Sequence, residues 1–317
     1  MAPAQRAGRG GPGRGAGPPA IARLPGSPGV YRFRDAGGQV LDLGRASVLR
    51  GRVASYWSDL RGRGHLAAMV ARIARIEAVS CDSVHEAAWL ERNLLEAALP
   101  PWNRTPGGQE SAVYIRLDAG PAHPGLSVTH RAEPADQVRY FGPYLGGLRA
   151  RQAVAALHRI QPLCYAADRP GGAGRDLARA RGVAGRDRAA LAGALTAILE
   201  RQPAAVGSAR RRLAELRDHA AQALAYGLAA RIQGEMAGLS WVCCAQRVTV
   251  MAPVNRTVAG WSGGVLVQFL IRDGRLRGWS QRACDRGSAA GALAATPAAW
   301  RGFTQRNAEL AASLARG

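Results

Sequence analysis

The first informative stretch is residues 24 to 104, where apolar positions change period several times. Val30-Tyr31-Arg32-Phe33 alternates at the two-residue period of a strand. Asp35-Ala36-Gly37-Gly38 is a turn signal, and Val40-Leu41-Asp42-Leu43 reads as the returning strand of a hairpin. Leu49, Val53, Tyr56 and Trp57 then recur at helical spacing, and Ile73 to Ser80 contains a further strand-like run. Ser83-Val84-His85-Glu86 predicts a capping box that opens a helix running through Leu99, and Pro100-Pro101 stops it.

Beyond this unit, short strands are expected over 111 to 165, followed by a helix around Ala150 to Ile160. From about 187 to 237 the pattern is helical and breaks near Gln202-Pro203, which predicts an antiparallel helical pair or bundle. From 247 strands return: Val248 to Met251, then Gly264 to Ile271, a turn at Arg272-Asp273-Gly274, and Arg275 to Trp279. The fold class is therefore α/β, a small mixed sheet with helices followed by a helical region and a small C-terminal α+β region. The expected segments are 1–22, a disordered basic Gly/Pro/Arg tail; 23–105, the α/β unit; 106–165, a linker region; 166–240, a helical region; and 241–317, a C-terminal strand-containing region.

Composition adds a partner class. The 317 residues carry a formal charge of +21, and all 43 basic residues are arginine. So large an excess predicts a polyanion, nucleic acid ahead of a membrane surface. A chain without lysine also points to codon bias, so an arginine where another protein uses lysine says little by itself. The five cysteines form no visible disulfide framework, which fits a reducing cytoplasm. No apolar run approaches the roughly 18 residues of a membrane span, and no secretory leader is apparent.

Five groups of residues stand in a telling order. They are Gly29-Val30-Tyr31, Asp42-Leu43-Gly44-Arg45, Leu49-Arg50-Gly51-Arg52, Trp89-Leu90-Glu91 and Pro101-Trp102-Asn103. Their order and spacing resemble the GIY-YIG nuclease domain of UvrC and Cho excision-repair proteins. Arg139-Tyr140-Phe141-Gly142-Pro143-Tyr144 is similar to the segment that follows that domain in UvrC. The resemblance implies a metal-dependent endonuclease that nicks damaged or branched DNA in nucleotide excision repair. It implies an active site at Tyr31, Arg45, Arg52, Glu91 and Asn103, with Gly44 allowing close packing. Arg45, Arg50 and Arg52 would meet DNA. Glu91 would hold Mg²⁺ or Mn²⁺, because a carboxylate with a divalent cation neutralises phosphate charge and helps the leaving oxygen. Arg52 would clamp phosphate through its planar fork, and Tyr31 would act as base or hold the attacking water.

Two positions depart: Arg45 stands where the family has a lysine and keeps the positive charge, and residue 42 is the serious change. The family's second tyrosine would stand at residue 42, where this chain has Asp42. A carboxylate is a base weaker than a phenolate by roughly six pKa units, and it brings negative charge toward phosphate. Three readings stay open: activity is lost or greatly slowed, Tyr31 alone serves as base, or Asp42 is an added metal ligand. The alternative function is thus a catalytically impaired DNA-binding or regulatory protein that keeps the fold.

Iron–sulfur ligation needs several nearby thiolates, and only Cys164 lies near the expected region, so no cluster is expected. The histidines show no zinc spacing. Leu213 to Met236 resembles, in degraded form, the helical hairpin through which UvrC contacts UvrB, implying a UvrB-like partner; plain helix core is the competing reading. A second incision domain and terminal helix-hairpin-helix pair are not expected in this length.

Overall fold

A computed structural model describes residues 19–58, 64–104, 110–169 and 171–316. The basic tail expected over 1–22 lies outside these up to residue 18. Pro19–Arg23 is a short 3-10 turn whose Ala20 and Ile21 pack on the first core, so order begins earlier than the Gly/Pro content predicts. The chain forms two compact units: 1–108 together with 254–317, and 109–253.

In the first unit, β1 (Gly29–Arg34) and β2 (Val40–Ala46) make the expected hairpin, closed by Gly38 N–H to the Asp35 carbonyl and Asp35 N–H to the Gln39 carbonyl. α1 (Leu49–Ala54) and α2 (Gly64–Val70) lead to β3 (Arg75–Ser80), and the antiparallel sheet runs β2-β1-β3. α3 (Val84–Ala97) opens as its sequence requires: the Ser83 hydroxyl accepts from Glu86 N–H at 2.9 Å, and the Glu86 carboxylate accepts from Asp82 N–H at 2.7 Å. Each bond satisfies a backbone donor near the helix start, where intrahelical partners are lacking.

In the second unit, β4 (Ala112–Asp118), β5 (Gly125–Thr129) and β6 (Val138–Leu145) form a sheet of order β5-β4-β6. Val113, Ile115 and Leu117 alternate inward, onto a core shared with α4 (Gly147–Ile160). α5 (Gly172–Ala180), α6 (Arg188–Leu199), α7 (Pro203–Gln222) and α8 (Tyr226–Val242) follow. The predicted break falls between α6 and α7, with Pro203 at the first turn of α7, where its missing N–H costs nothing. Leu224, Tyr226 and Leu228 are exposed at the turn joining α7 to α8 and in the first turn of α8.

The last segment holds β7 (Arg256–Ser262), β8 (Val265–Arg272), β9 (Arg275–Ala283), α9 (Arg286–Ala294) and α10 (Ala298–Ala315), with the sheet in chain order. The sequence reading set 241–317 apart; the structure instead groups 254–317 with the N-terminal residues, because this segment completes their core. Leu310 and Leu314 join Tyr31, Phe33 and Ile76 in one apolar cluster. β7 lies so close to α10 that a Cβ on Gly260 would sit 2.1 Å from the Thr304 carbonyl oxygen. The strand expected at Val248–Met251 does not form. Val248 is fully buried, and its neighbour Thr249 makes only an isolated bridge.

On each edge of the first sheet an asparagine amide pairs with the peptide groups of one residue, as a neighbouring strand would. On the β2 edge, Asn103 Oδ1 accepts from Leu43 N–H at 2.9 Å and its Nδ2 donates to the Leu43 carbonyl at 2.7 Å. On the β3 edge, Asn307 of α10 does the same to Ser80 at 2.7 and 3.1 Å. An uncovered edge offers unpaired peptide groups to another chain. Under the sheet, the buried Glu77 carboxylate receives Arg32 and, at 3.0 Å, Arg34. Burial pushes this carboxyl up, but the two guanidinium groups outweigh it and hold it below the usual range. Arg32 also stacks 3.7 Å from the Trp279 ring and donates to the Trp279 carbonyl. Among the described residues, no helix is long and apolar enough to cross a membrane.

Candidate active site

The site is built on the β1–β2 hairpin. Tyr31 pairs across the ladder with Gly44, and the hydroxyl end of its ring lies close against that residue. A Cβ on Gly44 would fall 2.4 Å from the Tyr31 hydroxyl and 2.7 Å from its Cζ, so only glycine admits the tyrosine here. The Tyr31 side chain is 1% exposed, and its hydroxyl lies 2.6 Å from that of Tyr56, just beyond α1. Tyr56 donates in turn to Asp42 Oδ2 at 3.1 Å.

A carboxylate accepts only, so the Tyr56 proton belongs to Asp42, and Tyr31 is then the donor to Tyr56. The Arg52 guanidinium stacks 5.2 Å from the Tyr56 ring, and its positive charge acts on the Tyr31 and Asp42 groups beside it. The bonds run in one direction, from Tyr31 through Tyr56 to Asp42. Burial drives the Tyr31 hydroxyl far above the ordinary phenol range, with Tyr56 and Asp42 adding to the rise. Burial likewise raises Tyr56 and Asp42; for Asp42 the Tyr56 hydrogen bond and the Arg52 charge oppose it without cancelling it. The chain of bonds opens on a cleft of about 470 Å³ lined by Asp42, Tyr56, His65, Met69, Trp102 and Arg104.

Glu91 and Asn103 gather along β2, whereas Arg50 does not. Glu91, on α3, accepts from the Arg45 backbone N–H at 3.0 Å and pairs with the Arg45 side chain at 3.3 Å. Its carboxylate is about a quarter exposed. Asn103 is engaged with Leu43, between Asp42 and Gly44, and so fixes the strand that carries them. Arg50 is exposed and ties its Nε to the Leu24 carbonyl at 2.8 Å.

Among the described residues no three His, Cys, Asp or Glu side chains cluster as a ready-made metal cage. A single accessible carboxylate nonetheless suits Mg²⁺, which keeps several waters and binds through one or two carboxylates plus substrate phosphates. The donor set at Glu91 fits such a cation.

Tyr56 is the residue that sequence reasoning missed, since it reads as one more apolar position of a helical stripe. The available signal was its spacing: it follows Arg52 by four residues, which places both on one helical face. His65 and Arg104 line the cleft without any such signal.

Residues 27–104 match the UvrC-like GIY-YIG domain. Curated relatives include the UvrABC system protein C of Geobacter metallireducens, 36% identical over 141 residues (44% of this chain, 23% of that protein). That of Hahella chejuensis is 37% identical over 134 residues (42% and 22%), and that of Moorella thermoacetica 30% identical over 240 residues (72% and 38%). The chain thus spans about a quarter of the length of the first of these relatives and 38% of the last. The matched stretch begins just before the hairpin and ends just after Asn103, and residues 27–104 of this chain are accordingly a UvrC-like GIY-YIG domain.

Proposed function

We propose that this protein is a DNA-repair nuclease of the UvrC/Cho type, nicking one phosphodiester in damaged DNA in nucleotide excision repair. The observation that carries the proposal is the Asp42 carboxylate at the end of a hydrogen-bonded relay, opening on a cleft inside the matched domain. The attacking water forms a bond to phosphorus, the phosphorus–oxygen ester bond breaks, and the water proton passes to Asp42. Tyr31 is a poor acceptor, because it is buried and its hydroxyl proton is committed to Tyr56. Its role is to orient Tyr56, which holds Asp42. Burial makes Asp42 a stronger base than an ordinary aspartate.

Arg52 and Arg45 bind the phosphate, and Arg52 supplies a planar fork of donors. Glu91 would hold Mg²⁺ or Mn²⁺, which supplies charge neutralisation at the phosphate and the leaving oxygen. The exposed Leu224, Tyr226 and Leu228 of the α7–α8 hairpin form a surface suited to a UvrB-like partner.

The test is incision of a lesion-bearing duplex with Mg²⁺ or Mn²⁺, with and without a UvrB-type protein, using the parent chain and Asp42→Asn. Nicking by the parent and a 10²- to 10⁴-fold loss in the variant is the expectation for loss of a general base. Equal rates would remove Asp42 from the mechanism. Salt-sensitive DNA binding without any incision would favour the alternative, a DNA-binding protein that retains the fold without the chemistry.

A further inference from the structure

The strand β9 begins Arg275-Leu276-Arg277-Gly278-Trp279 and pairs with β8 through a register shift. Leu270 faces Gly278 and Ile271 faces Leu276, so Arg277 is the extra residue of a bulge. A bulge bends a strand and re-aims a side chain. Here Arg275 and Arg277, two residues apart, both reach one oxygen, Glu96 Oε2 on α3, at 3.2 and 2.8 Å. Arg92 takes the other oxygen at 2.8 Å.

Three guanidinium groups therefore meet on one carboxylate, leaving a local charge of +2. Partial burial pushes the Glu96 carboxyl up, but the Arg277 bond and the three arginine charges prevail and hold it low. The arginine side chains remain 23 to 35% exposed. Only Nη1 of Arg275 and of Arg277 is spent on Glu96, and a guanidinium carries five donors.

The position of the cluster points to its ligand. α3 also carries Glu91, and Arg92 follows it directly. Glu96 follows Glu91 by five positions, about 7.5 Å of helical rise, and phosphates on one strand of a duplex advance about 3.4 Å each. Along α3 the cluster therefore lies within a few nucleotide steps of Glu91, on a face turned by about 140° from it and toward β9. Arg275 and Arg277 lie outside residues 27–104 but in the same compact unit.

We propose that Arg275 and Arg277, gathered by Glu96, form a phosphate-binding site for the DNA backbone beside the active-site helix. The proposal rests on the reading that DNA is the substrate. Its test therefore uses binding in the absence of divalent metal, so that a failure of cleavage leaves it standing. Fluorescence anisotropy of a labelled duplex would be followed from 50 to 300 mM salt for the parent, Arg275→Gln/Arg277→Gln and Glu96→Gln.

Loss of two phosphate contacts lowers the slope of log K against log salt by about 1.8, and affinity near 0.1 M salt falls by on the order of 10-fold or more. Glu96→Gln removes the competing carboxylate, keeps both arginines, and is expected to tighten binding several-fold. If the arginines only staple β9 to α3, both variants lower the melting temperature together and neither changes affinity nor slope. That result overturns the proposal, as does absence of DNA binding by the parent. Should the double variant fail to fold, the direction of the Glu96→Gln effect decides.

Discussion

Replacing Asp42 by asparagine is expected to stabilise the protein while disabling it. The side chain is 8% exposed, and burial raises its carboxyl despite the Tyr56 hydrogen bond and Arg52. A raised carboxyl means that the ionised form is better tolerated in the unfolded chain than in the folded one. The contribution of Asp42 to stability is therefore fully present below its unfolded value of 3.8, and is lost as pH rises through the folded value. At neutral pH the ionised group costs stability.

Asparagine is isosteric, carries no charge, and can still accept from Tyr56 through Oδ1. Because the folded-state carboxyl is raised, removing its charge is expected to bring a gain in stability at pH 7 to 8. Each ~1 kcal/mol of such a gain would raise Tm by about 2–4 °C for a unit of this size. The assay is thermal unfolding of both proteins from pH 4 to 8. The difference should be near zero in acid, where a protonated Asp42 resembles asparagine, and should grow with pH. A variant less stable than the parent at pH 7, or a pH-independent difference, would refute the reasoning.

Glu77→Gln leaves Arg32 buried against Trp279 without its counter-ion, and denaturant melts should show a loss of about 3–5 kcal/mol. Because the folded Glu77 carboxyl is held low, its contribution is present above the unfolded value of 4.5 and is lost as pH falls through the folded one. The variant should therefore lose part of the parent's steep acid transition. Gly44→Ala forces a methyl into the Tyr31 ring, and overpacking of this kind costs about 1–3 kcal/mol. Incision should fall with it, and an unchanged Tm would show that the hairpin accommodates the methyl. Asn307→Ala strips both partners from the Ser80 peptide groups, at about 1–3 kcal/mol by chemical denaturation. Faster hydrogen exchange at the Ser80 amide, which loses its Asn307 partner, is the second readout.

What the sequence discloses here is local. The hairpin, the Ser83–Glu86 cap and the stop before Pro203 each rest on residues within a few positions of one another, and they appear where their chemistry puts them. The return of 254–317 onto the N-terminal unit has no periodic signature, because Asn307 to Ser80 and Arg32 to Trp279 are single contacts between distant residues. The run Val248 to Met251 has the composition of a strand but makes no ladder with a neighbouring strand. In the site, residues of the motif were legible by order and spacing. Tyr56 was not, because a buried tyrosine at helical spacing looks the same whether its hydroxyl is idle or joins Tyr31 to Asp42. The meaning of Asp42 itself depends on burial and on that hydroxyl, neither of which a sequence states.

The central claim is that the Asp42 relay and Glu91 together make a working nuclease centre. The most direct measurement is single-turnover nicking of a lesion-bearing duplex in Mg²⁺ or Mn²⁺ by the parent and by Glu91→Gln, with equal DNA binding verified for both. Incision by the parent that chelation and Glu91→Gln each abolish is the predicted result. No incision by the parent under any of these conditions, or incision that survives Glu91→Gln, would contradict the account.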